Sequence, residues 1–184
     1  MANPFIVIEG MDGVGKSTVA RLLAQRLGGE YIATPLLPFS QIRQQVEDLH
    51  DLTARFHYFL SAVIGATPIV DAFLKNRPVI CDRYIWSTIA YHRALGVSMG
   101  HIDLQKLPIK MPDHSVLLVA SDDVRHQRMI QRETYGFWDR KFDQDYALSQ
   151  QVRREFESFN LPVIDTSIRL PTEIVGDLIA RLRS

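Results

Sequence analysis

The stretch Gly10-Met11-Asp12-Gly13-Val14-Gly15-Lys16-Ser17, entered straight from Phe5-Ile6-Val7-Ile8, decides how this chain is read. It fits the pattern G-x-x-x-x-G-K-[ST], and both flanks are those the pattern needs. The apolar, β-branched residues ahead of it predict a buried strand. Behind it, Val19, Leu22, Leu23 and Leu27 recur at helical spacing until Gly28-Gly29 stops the run. A glycine-rich turn between strand and helix lets successive backbone N–H groups wrap an anion, and the helix N-terminus adds its positive dipole. The expected ligand is the phosphate chain of a nucleoside triphosphate, held by Gly10, Asp12, Gly13, Val14, Gly15, Lys16, Ser17 and Thr18. Lys16 would reach the β/γ-phosphates, and the Ser17 hydroxyl would ligate Mg²⁺.

Composition narrows the remaining classes. With 184 residues, 46% hydrophobic and 23% charged, residues 1–184 are expected to form one globular domain with a real core. Lys+Arg and Asp+Glu both total 21, so no global field draws in polyanions and no nucleic-acid partner is expected. The one cysteine, Cys81, excludes an internal disulfide and lies in an apolar run, as a small core residue does. No basic segment leads into a long apolar stretch, and no run approaches the ~18 apolar residues of a membrane span. A cytoplasmic protein without membrane contact is therefore expected.

Short apolar strands alternate with helical segments along the chain. Strands are predicted at residues 31–34, 78–82, 115–119 and 161–165. The stripe Leu49, Leu52, Phe56, Phe59, Leu60, Val63 predicts a helix that bends or restarts at Pro68. Phe142, Tyr146, Val152, Phe156 and Phe159 stripe a long helix, and Ile174, Val175, Leu178 and Leu182 a last one. Strands apolar on both faces and joined by helical crossovers imply a parallel sheet covered on both sides. The fold class is thus α/β, a doubly wound sheet of about five strands, with ligands at the strand carboxyl ends. Gly10, Thr34, Asp82, Ala120 and Thr166 should border one crevice.

Asp82-Arg83-Tyr84 follows the third strand directly. A carboxylate there suits Mg²⁺, and an arginine beside it suits an acceptor phosphate or the transferring group. A strand-end salt bridge is the plainer alternative. Arg125, Arg128 and Arg132 step by three and four along one helical face, and Arg140 follows. Such a face is usually solvated. Phosphoryl transfer nevertheless needs cations around the equatorial oxygens, and the phosphate loop carries no arginine. A closing lid, about residues 133–141, is the economical source.

These residues resemble the thymidylate kinase family. The likeness rests on F-I-V-I-E-G-M-D-G-V-G-K-S-T at residues 5–18, V-I-C-D-R-Y at 79–84 and S-T-I-A-Y-H at 87–92. M-P-D at 111–113 and V-I-D-T-S at 163–167 extend it over nearly the whole chain. The resemblance implies a P-loop kinase that moves the γ-phosphate of ATP to a nucleoside monophosphate, uses Mg²⁺ and forms a homodimer. It assigns Lys16, Asp82, Arg83, Arg128, Arg132 and Arg140 to catalysis, and Ser17 and Asp82 to the metal. Thr166 and Ser167 would pass the adenine, while Asp12, Arg83 and Tyr91 would meet the acceptor.

The acceptor half departs from the family. After the second strand, where the family shows a charged segment, stands Ala33-Thr34-Pro35-Leu36-Leu37-Pro38-Phe39, with Arg43 the nearest replacement. Beyond the aromatics of the next helix, where the family has a base-reading arginine, stands Phe59-Leu60-Ser61-Ala62-Val63-Ile64. Phe56 or Phe59 could stack on a base, although aromatic stripes more often pack a core. The leading reading is a nucleoside monophosphate kinase with dTMP as the first acceptor to consider. A kinase acting on a hydroxyl of a nucleoside or other small molecule is the alternative, and a nucleotide-binding regulator is third.

Overall fold

A computed structural model describes residues 2–99, 102–131 and 137–182. The chain runs β1(Phe5–Glu9) α1(Lys16–Leu27) β2(Glu30–Ala33) α2(Phe39–Asp48) α3(Leu52–Leu74) β3(Val79–Asp82) α4(Ile85–Ala94). After a single 3₁₀ turn it continues β4(His114–Val119) α5(Asp122–Ile130) α6(Phe137–Gln144) α7(Tyr146–Glu157) β5(Val163–Asp165) α8(Pro171–Leu182). The strands form one five-stranded sheet in the order β2-β3-β1-β4-β5. Every pairing is parallel.

β1 lies at the centre, and all five of its residues are buried. Its side chains alternate between two cores, as the two-residue period of a strand requires. Ile6 and Ile8 join Leu23, Leu118, Phe156 and Leu178 on one face. Phe5 and Val7 join Phe56, Val70, Tyr84 and Ile85 on the other. Helices therefore cover both faces, and the loop leaving β1 emerges between β3 and β4. In register, Ile8 of β1 faces Asp82 on one side and Val116 on the other.

The helices show where local signals were overridden. α2 was not foreseen, although Phe39, Ile42 and Val46 recur at helical spacing; none of its residues is buried. α3 runs unbroken through Pro68, which sits on the exposed side, where the carbonyl it leaves unbonded can turn to water. The stripe read as one helix over residues 142–159 is two, because the Asp145 side chain caps a new N-terminus by accepting from the Leu148 N–H. Among the described residues, α3 alone is long and apolar enough to cross a membrane by length and composition. It is a core helix here, with Phe56, Val63, Ala66 and Val70 buried against the sheet.

Candidate active site

The turn after β1 needs its glycines. Gly10 and Gly13 have φ of 137° and 83°, a region that side chains disfavour. A Cβ on Gly10 would stand 2.3 Å from the Leu118 carbonyl oxygen, and one on Gly13 2.7 Å from that of Arg125. The loop is thus pressed onto its neighbours. Lys16 folds back over it and donates to the Met11 carbonyl at 2.7 Å. The Ser17 hydroxyl donates to Asp82 Oδ2, while Asp82 Oδ1 is buried without a hydrogen-bond partner. A hydroxyl and a carboxylate with an unused oxygen are hard ligands of the kind Mg²⁺ takes beside phosphates.

A cavity of about 430 Å³ lies on the Thr18 side of the loop, bordered by Gly13, Gly15, Arg128, Thr166 and Arg169. Arg128 ties its walls together, donating to the Gly13 carbonyl at 3.3 Å and the Thr166 carbonyl at 2.8 Å. Thr166 Oγ1 donates in turn to the Val14 carbonyl at 2.8 Å. Ser167 stays outside this set: its hydroxyl bonds Asp165 and accepts from the Ser121 N–H. The bonds that Asp165 accepts from the Ser167 hydroxyl and N–H lower its pKa. Arg125 is not on a solvated face but buried, donating to the Asp12 carbonyl at 2.9 Å and pairing with Asp122. Arg140 lies exposed on α6, and Arg132 falls outside the described residues, as do residues 133–136 of the expected lid.

A second cavity, about 200 Å³, opens on the Asp12 side. At its mouth Arg83 has φ of 65°, a left-handed backbone uncommon outside glycine. The surroundings impose it. The Arg83 N–H bonds the Ile8 carbonyl, and Thr34 Oγ1 donates to the Arg83 carbonyl. Glu9, fully buried beneath, accepts from the N–H groups of Tyr84 and Ser87 and from the Ser87 hydroxyl. Burial raises the Glu9 pKa despite those bonds. Arg83 donates to Ser87 Oγ at 3.1 Å and to Asp12 Oδ1 at 2.6 Å, and Tyr91 donates to Asp12 Oδ2 at 3.1 Å. Burial alone would favour a neutral Arg83, but Asp12, Tyr91 and Asp82 reverse that and fix its charge.

The inner end of this cavity holds what the sequence reading missed. Arg55 of α3 is buried there, with Cζ 4.8 Å from the Phe59 ring centroid and 4.6 Å from that of Trp138. Its Nη1 lies 2.9 Å from His92 Nε2, and His92 Nδ1 lies 2.6 Å from the Thr88 carbonyl. The carbonyl fixes the tautomer: Nδ1 carries the proton and Nε2 accepts. Burial, reinforced by the Arg55 charge, lowers the His92 pKa to about 3. Burial likewise lowers Arg55 to about 10, against the opposing pull of Glu47. Arg43 borders the cavity from α2, paired with Glu47 at 3.0 Å and 5.7 Å from the Phe59 ring. Phe59 and Tyr91 line the cavity, whereas Phe56 lies in the core, packed edge-on to His92 and outside the cavity wall. A cation one helical turn before an aromatic, as in Arg55 and Phe59, was the available signal.

Two cavities meeting at one phosphate loop suit transfer between two small molecules, and the class so defined is that of the ATP-dependent nucleotide kinases. Comparison with known proteins narrows the class. The thymidylate kinase family profile matches residues 8–179, and the chain belongs to that family. It is 29% identical to a probable thymidylate kinase of Methanocaldococcus jannaschii, over 99% of this chain and 97% of that one. Among solved structures, thymidylate kinase from Ehrlichia chaffeensis superposes with a TM-score of 0.76 at 21% identity, covering 100% of both chains. Deoxyadenosine kinase from M. mycoides gives 0.69 at 17% identity, over 98% of this chain and 100% of that one, and so shares the fold.

Proposed function

We propose that this chain transfers the γ-phosphate of ATP to the phosphate of a nucleoside monophosphate, with dTMP the first acceptor. The observation that carries the reading is the Arg83–Asp12 pair, which stands where the phosphate loop meets the 200 Å³ cavity. ATP occupies the Thr18 side, its phosphates under the loop N–H groups and Lys16, its nucleoside along Arg128 and Thr166. Ser17 and Asp82 hold Mg²⁺, which neutralises charge on the phosphates when bound. The acceptor phosphate exchanges places with the Asp12 carboxylate on Arg83, assisted by Arg43. Asp12, released from that pair, receives a sugar hydroxyl beside Tyr91. An acceptor phosphate is already a nucleophile, so the site must position groups and balance charge more than move a proton. The cavity answers to this, being rich in arginine around a single acidic group at its mouth.

Arg140 on α6, with Arg132 by its place in the sequence, would supply further positive charge to the transferring group. The protein works as a cytoplasmic homodimer, a reading supported by α3, whose apolar 18-residue window is only 28% buried within one chain. The test is an ADP-release screen over dTMP, other monophosphates, free nucleosides and hydroxyl-bearing metabolites. Stimulation by dTMP, abolished in Lys16→Ala, is expected. Turnover with an uncharged nucleoside and none with any monophosphate would replace this reading by a nucleoside kinase, which the uncharged segment at residues 33–39 and the shared fold favour as the second possibility.

A further inference from the structure

Each carbonyl of the phosphate loop from Met11 to Gly15 has a donor. That of Met11 takes Lys16 Nζ and that of Gly15 takes the Val19 N–H, both from α1 itself. The carbonyls of Asp12, Gly13 and Val14 are instead held from outside, by Arg125 at 2.9 Å, Arg128 at 3.3 Å and Thr166 at 2.8 Å. These peptides are trans, and in a trans unit the carbonyl and the following residue's N–H point opposite ways. A carbonyl drawn onto α5 therefore turns the next N–H away from α5. Of the three units, only Asp12–Gly13 reaches both cavities. The Asp12 carboxylate borders the acceptor cavity, bonded to Arg83 and Tyr91, and Gly13 borders the cavity on the Thr18 side.

Arg125 holds that unit from α5. Its side chain is buried, and while Nε donates to the loop, Nη1 donates to Asp122 Oδ1 at 3.1 Å and Ser149 Oγ at 3.4 Å. Asp122 is steadied in turn by Arg153 of α7 at 2.7 Å, and Ser149 is buried on the same helix. Gly13 completes the fit, because a residue without Cβ lets the loop lie this close to the Arg125 backbone. A buried guanidinium is a weak source of stability, since apolar groups of like volume often serve as well. What it supplies is direction, a rigid fork with one arm on the loop and the other on α5 and α7. We propose that Arg125 is a positioning residue for the transfer, setting the plane of the Asp12–Gly13 peptide so that one unit presents a carboxylate to the acceptor and an N–H to the phosphates of ATP. This deepens the kinase reading and rests on it. The two substrates are registered against each other through one peptide plane, and a rotation of that plane disturbs both.

The test is Arg125→Met in the intact chain, which keeps the apolar stem and removes the fork. It is assayed for kcat and both KM values with dTMP as acceptor, and ATP affinity is taken separately by calorimetric titration. Acceptor KM should rise and kcat should fall, each roughly tenfold, and ATP binding should weaken by about the same factor. A role in folding alone would lower kcat through the active fraction and leave KM and ATP affinity unchanged, a result that overturns the proposal. In an Asp12→Ala background the KM effect should vanish, because the carboxylate it acts through is gone, while the kcat effect remains. Losses in acceptor KM that multiply in the double variant would also overturn it. Asp122→Asn, a change at an exposed side chain that loosens only the far arm, should give the same pattern at roughly threefold and carries the test if Arg125→Met does not fold. Weakened ATP binding in Arg125→Met, with no monophosphate supporting turnover even in the unmodified protein, would remove the kinase reading and leave the hold on the loop intact.

Discussion

The two cavities flanking the phosphate loop are built from different materials. The wall on the Thr18 side is tied together through backbone: Arg128 donates to the Gly13 and Thr166 carbonyls, and Thr166 Oγ1 to that of Val14. The wall on the Asp12 side is side chain: Arg43 from α2, Arg55 from α3, Arg83, Tyr91 and His92 from the β3–α4 unit, and Trp138 from α6. A backbone site depends on a short run of φ angles and tolerates many surrounding sequences. A side-chain site depends on how distant elements pack, so it can be respecified by moving one residue along a helix.

The largest expected effect separates the two walls. Arg83→Ala should lower acceptor kcat/KM roughly 10³-fold while ATP affinity, measured by calorimetric titration, stays within about twofold. Parallel loss of ATP binding would show that the walls are not independent. Arg128→Ala should do the reverse and more gently. It should raise KM for ATP roughly tenfold with the acceptor KM unchanged, because a charge-assisted bond between loop and β5 is lost. A change in acceptor KM alone would place Arg128 on the wrong side of the comparison.

The smallest effect tests how the acceptor wall is held. His92 is neutral in the folded chain, with a pKa lowered to about 3 from an ordinary 6.5. Below pH 6.5 the unfolded chain therefore binds a proton that the folded chain refuses, so stability is full above that pH and falls toward pH 3. The limiting slope is about 1.4 kcal/mol per pH unit. Urea unfolding at pH 7.0, 6.0 and 5.0 should show this decline, and His92→Gln should flatten it. An unchanged slope in the variant would mean that the imidazole is not held neutral by its burial against Arg55.

Legibility followed the same division. The phosphate loop, its strand and helix, and the Asp82-Arg83 pair were readable because each is a local pattern at fixed spacing. The parallel sheet followed from strands apolar on both faces, which β1 satisfies from Phe5 to Ile8. α2 escaped because its short stripe, Phe39, Ile42 and Val46, follows directly on the Pro35–Pro38 segment and is not buried. Arg125 and Arg128 share a helix face, yet one is buried under the loop and the other ties Gly13 to Thr166, a distinction that only the approach of α5 to Gly13 makes. Phe56 and Phe59 are one turn apart on α3, and the tilt of that helix sends one to the core and the other to the cavity.

The amino-acid sequence by itself determined the phosphate loop, because a glycine at φ 83° or 137° and a lysine at the helix start act over a few bonds. It determined the class of chemistry with it. Only the tertiary structure decided the acceptor cavity, because Arg55, His92 and Trp138 are separated by dozens of residues. Their chemistry, a neutral imidazole beside a buried guanidinium, exists only once burial has removed water from all of them together.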